Sequence, residues 1–263
     1  MRAHVFVGLA MLAACKGGDG ASSGGPTAAP SASASTQASP SAQQTTKEAP
    51  PVSAVFLELG AGNSARSMPV PPCTEALVTP VRGKVTAAGL PLAQGDVAAI
   101  RGQTVVVKGE GTVVFAWARL TACDVPPLAT VVKADAAHDL TFMHGAMHAR
   151  LDLDDRNVAP SFYLGRLSGT AAVPEHAHAG TWELLCAVEA AGTFTLSGTP
   201  QHLGPRTCVT VPPDTKHSWQ PDAGSTLSAV QMYWPPGPEQ RFKKLAADEL
   251  AGGPPPVESG RDH

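Results

Sequence analysis

The sequence predicts an all-β protein made of many short strands and closed by a single C-terminal helix. Three observations carry that expectation. Between Val52 and Trp234, apolar or alternating runs recur with no helical period between them, at strand lengths of about 4–8 residues and spacings of roughly 8–12. Gly, Pro, Asp and Thr separate the runs, as turns require, and the chain holds 26 glycines and 25 prolines. Only "PEQRFKKLAADEL" places apolar residues near helical spacing, at Phe242, Leu245, Ala246 and Leu250, ahead of a closing Gly252. Short strands at this spacing indicate a sandwich or a barrel.

The first segment reads as an export signal. "MRAHVFVGLAMLAAC" has a basic Arg2, an apolar run from Val5 to Ala14 and small residues before Cys15. The run is too short to span a bilayer, so residues 1–14 are expected to be a signal peptide. Its ending, Leu12-Ala13-Ala14-Cys15, resembles the bacterial lipobox, in which the cysteine is lipidated and becomes the first residue of the mature protein. An ordinary secretory signal with an incidental cysteine is the alternative. Several acyl chains on Cys15 would anchor the protein stably, since each buried CH₂ adds about 0.8 kcal/mol. The expected location is therefore a membrane-anchored lipoprotein on the periplasmic or cell-surface side. Residues 15–51 are almost entirely Gly, Ala, Ser, Thr, Pro and Gln, which cannot bury enough surface to offset ordering entropy, and are expected to be a disordered tether. The tail, residues 252–263, has the same character.

The strand runs then follow in two series. "AVFLEL", "ALVTPV", "VAAI", "TVVVKG" and "TVVFAWARL" come first, and "SFYLGRL", "WELLCAV", "TFTL", "TCVTV" and "LSAVQMYW" second. At an offset of 108 residues Leu59 aligns with Leu167 and Glu75 with Glu183, so the chain is expected to be a worn duplication. The two units are placed at 52–150 and 151–237, with the helix at 238–251. Under that alignment Met68 and Val70 take the places of His176 and His178, which leaves the first unit without metal ligands.

Composition excludes one class of partner. Charged residues make up 16% of the chain, the net charge is −3 and no segment gathers Lys and Arg into a basic stripe, so nucleic acid is not expected. Export permits disulfides among Cys73, Cys123, Cys186 and Cys208, and four cysteines allow three pairings that the sequence does not rank. Cys186 lies three residues after Glu183, but strand alternation points it to the opposite face, against a ligand role.

The candidate site is "PEHAHAGTWE". His176 and His178 stand at i and i+2, a spacing that in a strand turns both imidazoles to one side. Glu183 opens the apolar strand "ELLCAV", and "CVTVPPDTKHSW" gives a β-run, a Pro-Pro turn and His217 at the start of the next strand. A bare HxH motif is a weak signal, and the other reading is a metal-free barrel whose polar groups satisfy one another. His144 and His148 in "HGAMH" have i, i+4 spacing but no acidic companion, and are expected in a solvated linker or crossover strand. Trp182, Trp219 and Tyr233 are expected to fill the barrel wall rather than to line a pocket.

"HAHAGTWE" followed by Gly192 resembles the first motif of the cupin superfamily, and "PPDTKH" resembles the second. Three positions depart from the pattern. Asp214 stands where the second motif usually has glycine, Pro221 where it often has asparagine, and the opening glycine of the first motif is displaced to Gly169. The resemblance implies a jelly-roll β-barrel, in tandem here as in bicupins, with His176, His178, Glu183 and His217 holding one divalent metal. Imidazole and carboxylate donors suit Mn or Fe, the favoured ions, and also Zn, Ni or Cu. The resemblance further implies dioxygenase, decarboxylase or isomerase chemistry on a small molecule, without choosing among them. A non-catalytic module that binds a metal or a small ligand stays open beside the enzyme, and no catalytic acid or base is assigned. The expected partners are a small-molecule ligand or substrate and the membrane, with a homodimer left open.

Overall fold

The central strands of this chain are apolar on both faces, which a two-layer sandwich does not require and a third layer does. A computed structural model describes residues 50–156 and 162–252. The expected signal peptide, the lipidation site Cys15, nearly all of the tether and the tail beyond Gly252 lie outside the described residues.

The first half contributes β1 (Val52–Met68), β2 (Thr74–Ala87), β3 (Leu90–Leu92), β4 (Val97–Arg101), β5 (Val105–Arg119) and β6 (Leu128–Val132). They form one antiparallel sheet in the order β1-β5-β2-β4-β6, with β3 paired to β2. All eight residues from Thr74 to Val81 are buried. Val81 is an extra residue between the pairs Pro80–Val113 and Arg82–Thr112. Such a bulge switches the facing of the strand. Ala76 and Val78 before it and Val85 and Ala87 after it therefore share one core with Val107 and Phe115 of β5.

The second half contributes β7 (His138–Phe142), β8 (Met147–Leu153), β9 (Tyr163–Gly169), β10 (Val173–His176), β11 (Trp182–Glu189), β12 (Gly192–Leu196), β13 (Thr199–Leu203), β14 (Thr207–Val211), β15 (His217–Pro221) and β16 (Leu227–Trp234). One sheet runs β14-β11-β16-β9-β8-β7 and a second runs β10-β15-β12-β13. Their facing sides enclose a core that includes Leu151, Tyr163, Leu185, Phe194, Trp219 and Tyr233. The outer face of the six-stranded sheet carries Leu164, Leu184, Cys186, Val230 and Met232, and packs on Leu77, Val97, Val114 and Ala116 of the first half. Burial on both faces of β2, β11 and β16 follows from this stacking.

Two sequence expectations change here. The boundary placed at 150/151 falls earlier, because β8 pairs β9 from Met147↔Gly169 to Leu153↔Leu164 and β7 pairs β8. The change of sheet lies between Val132 and His138, so "HGAMH" is the turn and start of a β-hairpin rather than a linker. The residues matched at an offset of 108 also meet different cores. Glu75 shares its side of β2 with Leu77, toward the second half, whereas Glu183 shares its side of β11 with Leu185, toward the enclosed core. Glu75 is buried and ion-paired to Arg101.

The expected helix is α1 (Gln240–Leu250), two residues shorter at its start than the sequence reading. Phe242, Leu245 and Ala246 pack on the enclosed core, and Phe242 stacks on Phe142 of β7 at 5.6 Å between ring centroids. Leu250 is 90% exposed instead. The cysteines pair as Cys73–Cys123 and Cys186–Cys208, the second directly across β11 and β14. No helix among the described residues is long and apolar enough to cross a membrane.

Candidate metal centre

Each half of the candidate site is delivered by a different strand pair. His176 ends β10 and His217 opens β15, and the two are direct partners in the antiparallel register. Antiparallel partners point to the same side, which brings their rings to 4.2 Å. His178 lies two residues past the end of β10, so the loop, not strand alternation, turns it inward. Its ring stands 5.0 Å from that of His176, edge-on to Tyr233 at 5.0 Å. Glu183, the second residue of β11, points into the core beside them.

The turn of the second motif is tied to the first. The Asp214 N–H donates to the His178 carbonyl at 2.9 Å. Asp214 has φ +57°, the left-handed conformation that glycine would take most easily and that Asp tolerates better than most residues. The departure from the motif pattern thus leaves the turn intact. Gly192 serves a different need. A Cβ there would lie 2.6 Å from the Trp219 ring and 2.4 Å from the Gln220 carbonyl, so only glycine lets Trp219 fold across β12.

The four side chains offer donor atoms that all lie within 4.8 Å of one another, the only such group of three or more among the described residues. Nε2 of His217 is 2.9 Å, and Nε2 of His178 3.2 Å, from Oε2 of Glu183. For an ion bonded at about 2.1 Å, neighbouring donors stand about 3 Å apart and opposite ones about 4.2 Å. The contacts to Glu183 match neighbouring donors and the overall spread is close to that of opposite ones, so the cluster could hold one ion. The outer nitrogens support the same reading. Nδ1 of His176 faces the Pro174 carbonyl at 2.8 Å and Nδ1 of His217 the Thr215 carbonyl at 2.9 Å. A ring nitrogen against a carbonyl carries the proton, which leaves the Nε2 lone pair aimed at the centre. The second oxygen of Glu183, Oε1, accepts from Nε2 of Gln231 at 2.7 Å, so the carboxylate presents one oxygen inward.

Protonation in the metal-free chain follows from burial and proximity. Burial, then the neighbouring His217, lowers His176 to about 4. Burial would raise Glu183, but hydrogen bonds and charge from His178 and His217 outweigh it and hold the carboxyl well below its ordinary range. Burial likewise opposes a charge on His217, and the Glu183 carboxylate overrides it and raises the imidazole. Burial pushes the hydroxyl of Tyr233 far above its ordinary value, so it stays protonated beside the centre.

The centre opens on a cavity of about 180 Å³. Trp219 and Tyr233 line it while also filling the core, which corrects the expectation that they only form wall; Trp182 packs on the outer face with the first half. His144 lies in the β7–β8 turn and His148 on β8 bonds Thr141 at 3.1 Å, both away from the cluster. Sequence reasoning missed Gln231. Its signal was present, as a lone amide inside the apolar run "LSAVQMYW".

The fold is the cupin fold. Oxalate decarboxylase of Bacillus subtilis, as a variant with one tryptophan changed to tyrosine, aligns over 71% of this chain and 70% of its own at 9% identity, with a TM-score of 0.54. An IolB-like protein of Salmonella typhimurium aligns over 71% and 83% at 14% identity, with a TM-score of 0.53. The DUF861 protein Ylba of E. coli aligns over 70% and 76% at 11% identity, with a TM-score of 0.52. Against a further neighbour, from Pseudomonas aeruginosa, the match spans 65% of that chain, just under two thirds, with a TM-score of 0.47. No protein-family model matches the sequence. No curated protein matches it either.

Proposed function

We propose that this is an exported, lipid-anchored metalloprotein whose His176, His178, Glu183 and His217 hold one divalent ion, and that the ion serves an enzyme acting on a small molecule. The observation that carries this reading is the convergence of four buried or half-buried donors on one point at the wall of an apolar cavity. Three nitrogens and one oxygen favour Mn or Fe, with Zn, Ni or Cu as the other ions of this donor set. Such an ion, with four protein ligands, supplies a Lewis acid with open positions. The chain's own residues do the rest: Gln231 fixes the carboxylate, the Pro174 and Thr215 carbonyls fix the ring nitrogens, and the apolar walls exclude water. Dioxygenase, decarboxylase and isomerase reactions all suit this arrangement. The two disulfides support an oxidising compartment, in keeping with export and anchoring at Cys15.

One observation favours the second reading, a binding module without turnover. Among the described cavity-lining residues Glu183 is the only carboxylate and Arg241 the only Lys or Arg, so beside the ligands only the Tyr233 hydroxyl, held protonated by burial, stands as a separate acid. Metal analysis after purification without added metal, followed by O₂ uptake and product assays on a panel of small acids, phenols and sugars, decides between them. Near-stoichiometric iron or manganese with turnover supports the enzyme. Zinc or no metal, with ligand-induced stabilisation and no turnover, supports the module, and the absence of both bound metal and ligand-induced stabilisation overturns both.

A further inference from the structure

The cavity beside the centre has a chemical character of its own. Part of its wall is the ligand cluster and part is Phe142, Met147, Leu167, Phe194, Phe242 and Leu245. An apolar protein cavity of about 150 Å³ takes a benzene molecule. The volume here, about 180 Å³, therefore suits a single ring or a branched chain of that size with one polar group attached. Polar atoms are few. The Gln231 amide nitrogen is already committed to Glu183, its oxygen and the Trp219 indole N–H are buried without a hydrogen-bond partner, and Ser218 and Tyr233 add a hydroxyl each. Arg241, half-buried on α1, is the only Lys or Arg among the described lining residues.

This inventory selects among ligands. A polyhydroxylated molecule would press hydroxyls against Phe, Met and Leu side chains, and each buried group left unpaired costs about 1–3 kcal/mol. A dianion would set its second charge among the same walls, where Arg241, already engaged within the protein, is the one Lys or Arg to meet it, and an unpaired charge costs more still. A molecule with one anionic oxygen group avoids both penalties, since that group has the centre to bind and the body has apolar walls to cover it.

We propose, resting on the metal-centre reading above, that the site takes a small molecule with an apolar, ring-sized body and one anionic oxygen group: an aromatic or branched aliphatic monocarboxylate. Phe242 and Leu245 make α1 the size-limiting wall. Phe242 is held by its stack on Phe142, and Leu245 is half-buried against the core, so the helix closes the cavity from outside the barrel. The C-terminal helix thus acts as a specificity element as well as a closing one.

The test uses the full chain loaded with Co²⁺ and follows cobalt absorption during titration with benzoate, acetate and terephthalate. Acetate carries the same anchoring group without the body, and terephthalate adds a second charge. Benzoate is expected to bind at least 10-fold more tightly than acetate or terephthalate. In Leu245→Trp, which fills the cavity, benzoate should fall to the acetate level while cobalt uptake stays at one per chain. Cobalt uptake with benzoate no tighter than acetate overturns the ligand class and leaves the metal centre standing. Absence of cobalt uptake overturns the centre. The cavity is then scored with toluene on the metal-free protein: a rise in Tm lost in Leu245→Trp keeps the apolar ring-sized site, and no rise overturns it too.

Discussion

Gln231 on β16 donates from Nε2 to Oε1 of Glu183 on β11 at 2.7 Å, and both residues are buried. The bond occupies the carboxylate oxygen that faces away from the histidines and leaves Oε2 for them. Groups of this kind orient a ligand and hold its basicity, and losing them costs about 10–100-fold in metal affinity. Gln231→Met keeps the volume and removes the donor. Chelator competition should show a metal Kd weakened by about that factor, with the metal still one per chain at saturation. An unchanged Kd would mean that Glu183 is positioned by packing alone.

The ligand assignment separates two histidines of very different surroundings. His176 is paired with His217 across strands, whereas His144 is 79% exposed in the β7–β8 turn. His176→Ala should lose most of the metal after dialysis, and His144→Ala none, by elemental analysis. Equal metal in both variants would place the site elsewhere.

The metal-free protein should lose stability as pH falls through the window in which His176 resists a proton. A free imidazole titrates near 6.5, and His176 in the fold at about 4. Between those values the unfolded chain binds a proton that the folded chain refuses, so acid favours unfolding. Glu183 acts in the same direction: its contribution is present above the ordinary carboxylate range and is lost as pH falls through its lowered value. His217 acts in the opposite direction, contributing stability that is present below about 6.5 and lost as pH rises through its raised value. Urea titrations of the metal-free protein from pH 7 to 4 should show a decline that His176→Gln reduces by a few kcal/mol. The metal should also leave as pH falls, because protons compete for the same nitrogens. A decline of equal size in His176→Gln would remove His176 as its source.

What could be read from the sequence was local. The strand runs, Glu183 at the head of "ELLCAV", the two inward-facing histidines and the Pro-Pro turn before His217 are each set by a few neighbouring residues. What could not be read depended on pairing. Cys186 finds Cys208 only because β14 lies beside β11, and β7–β8 joins the second half only because β8 pairs β9. Glu75 aligned with Glu183 by counting, and the even offset keeps their place in the strand, but which core that side meets depends on the layer packed against it, which is the second half for Glu75 and the enclosed core for Glu183. Leu250 kept the helical period yet stays exposed, because the period of a helix does not by itself supply a surface to pack on.

The two halves are joined by one buried charge network that tests their dependence on each other. Arg166 of β9 reaches Asp152 at 2.7 Å, the Thr79 hydroxyl of β2 at 2.6 Å and the Gly95 carbonyl at 3.2 Å. Arg150 adds a second bond to Asp152 at 3.2 Å and one to the Ala134 carbonyl. Burial raises Asp152 to about 6 against the pull of Arg166 and Arg150, so its charge depends on those partners. Removing one member of a buried pair costs about 3 kcal/mol or more, because the other charge is left behind. Arg166→Met should therefore destabilise by that order in urea at pH 7. A carboxyl raised in the fold loses stability as pH rises through its folded value. Without Arg166 the Asp152 value climbs further, so the deficit should grow above pH 6 and shrink toward pH 4. Asp152→Asn in the same chain should restore part of the loss by removing the stranded charge. If Arg166→Met is neutral at pH 7, the halves are held by the apolar face between Leu77, Val114, Leu184 and Met232 alone, and the network contributes nothing measurable to their union.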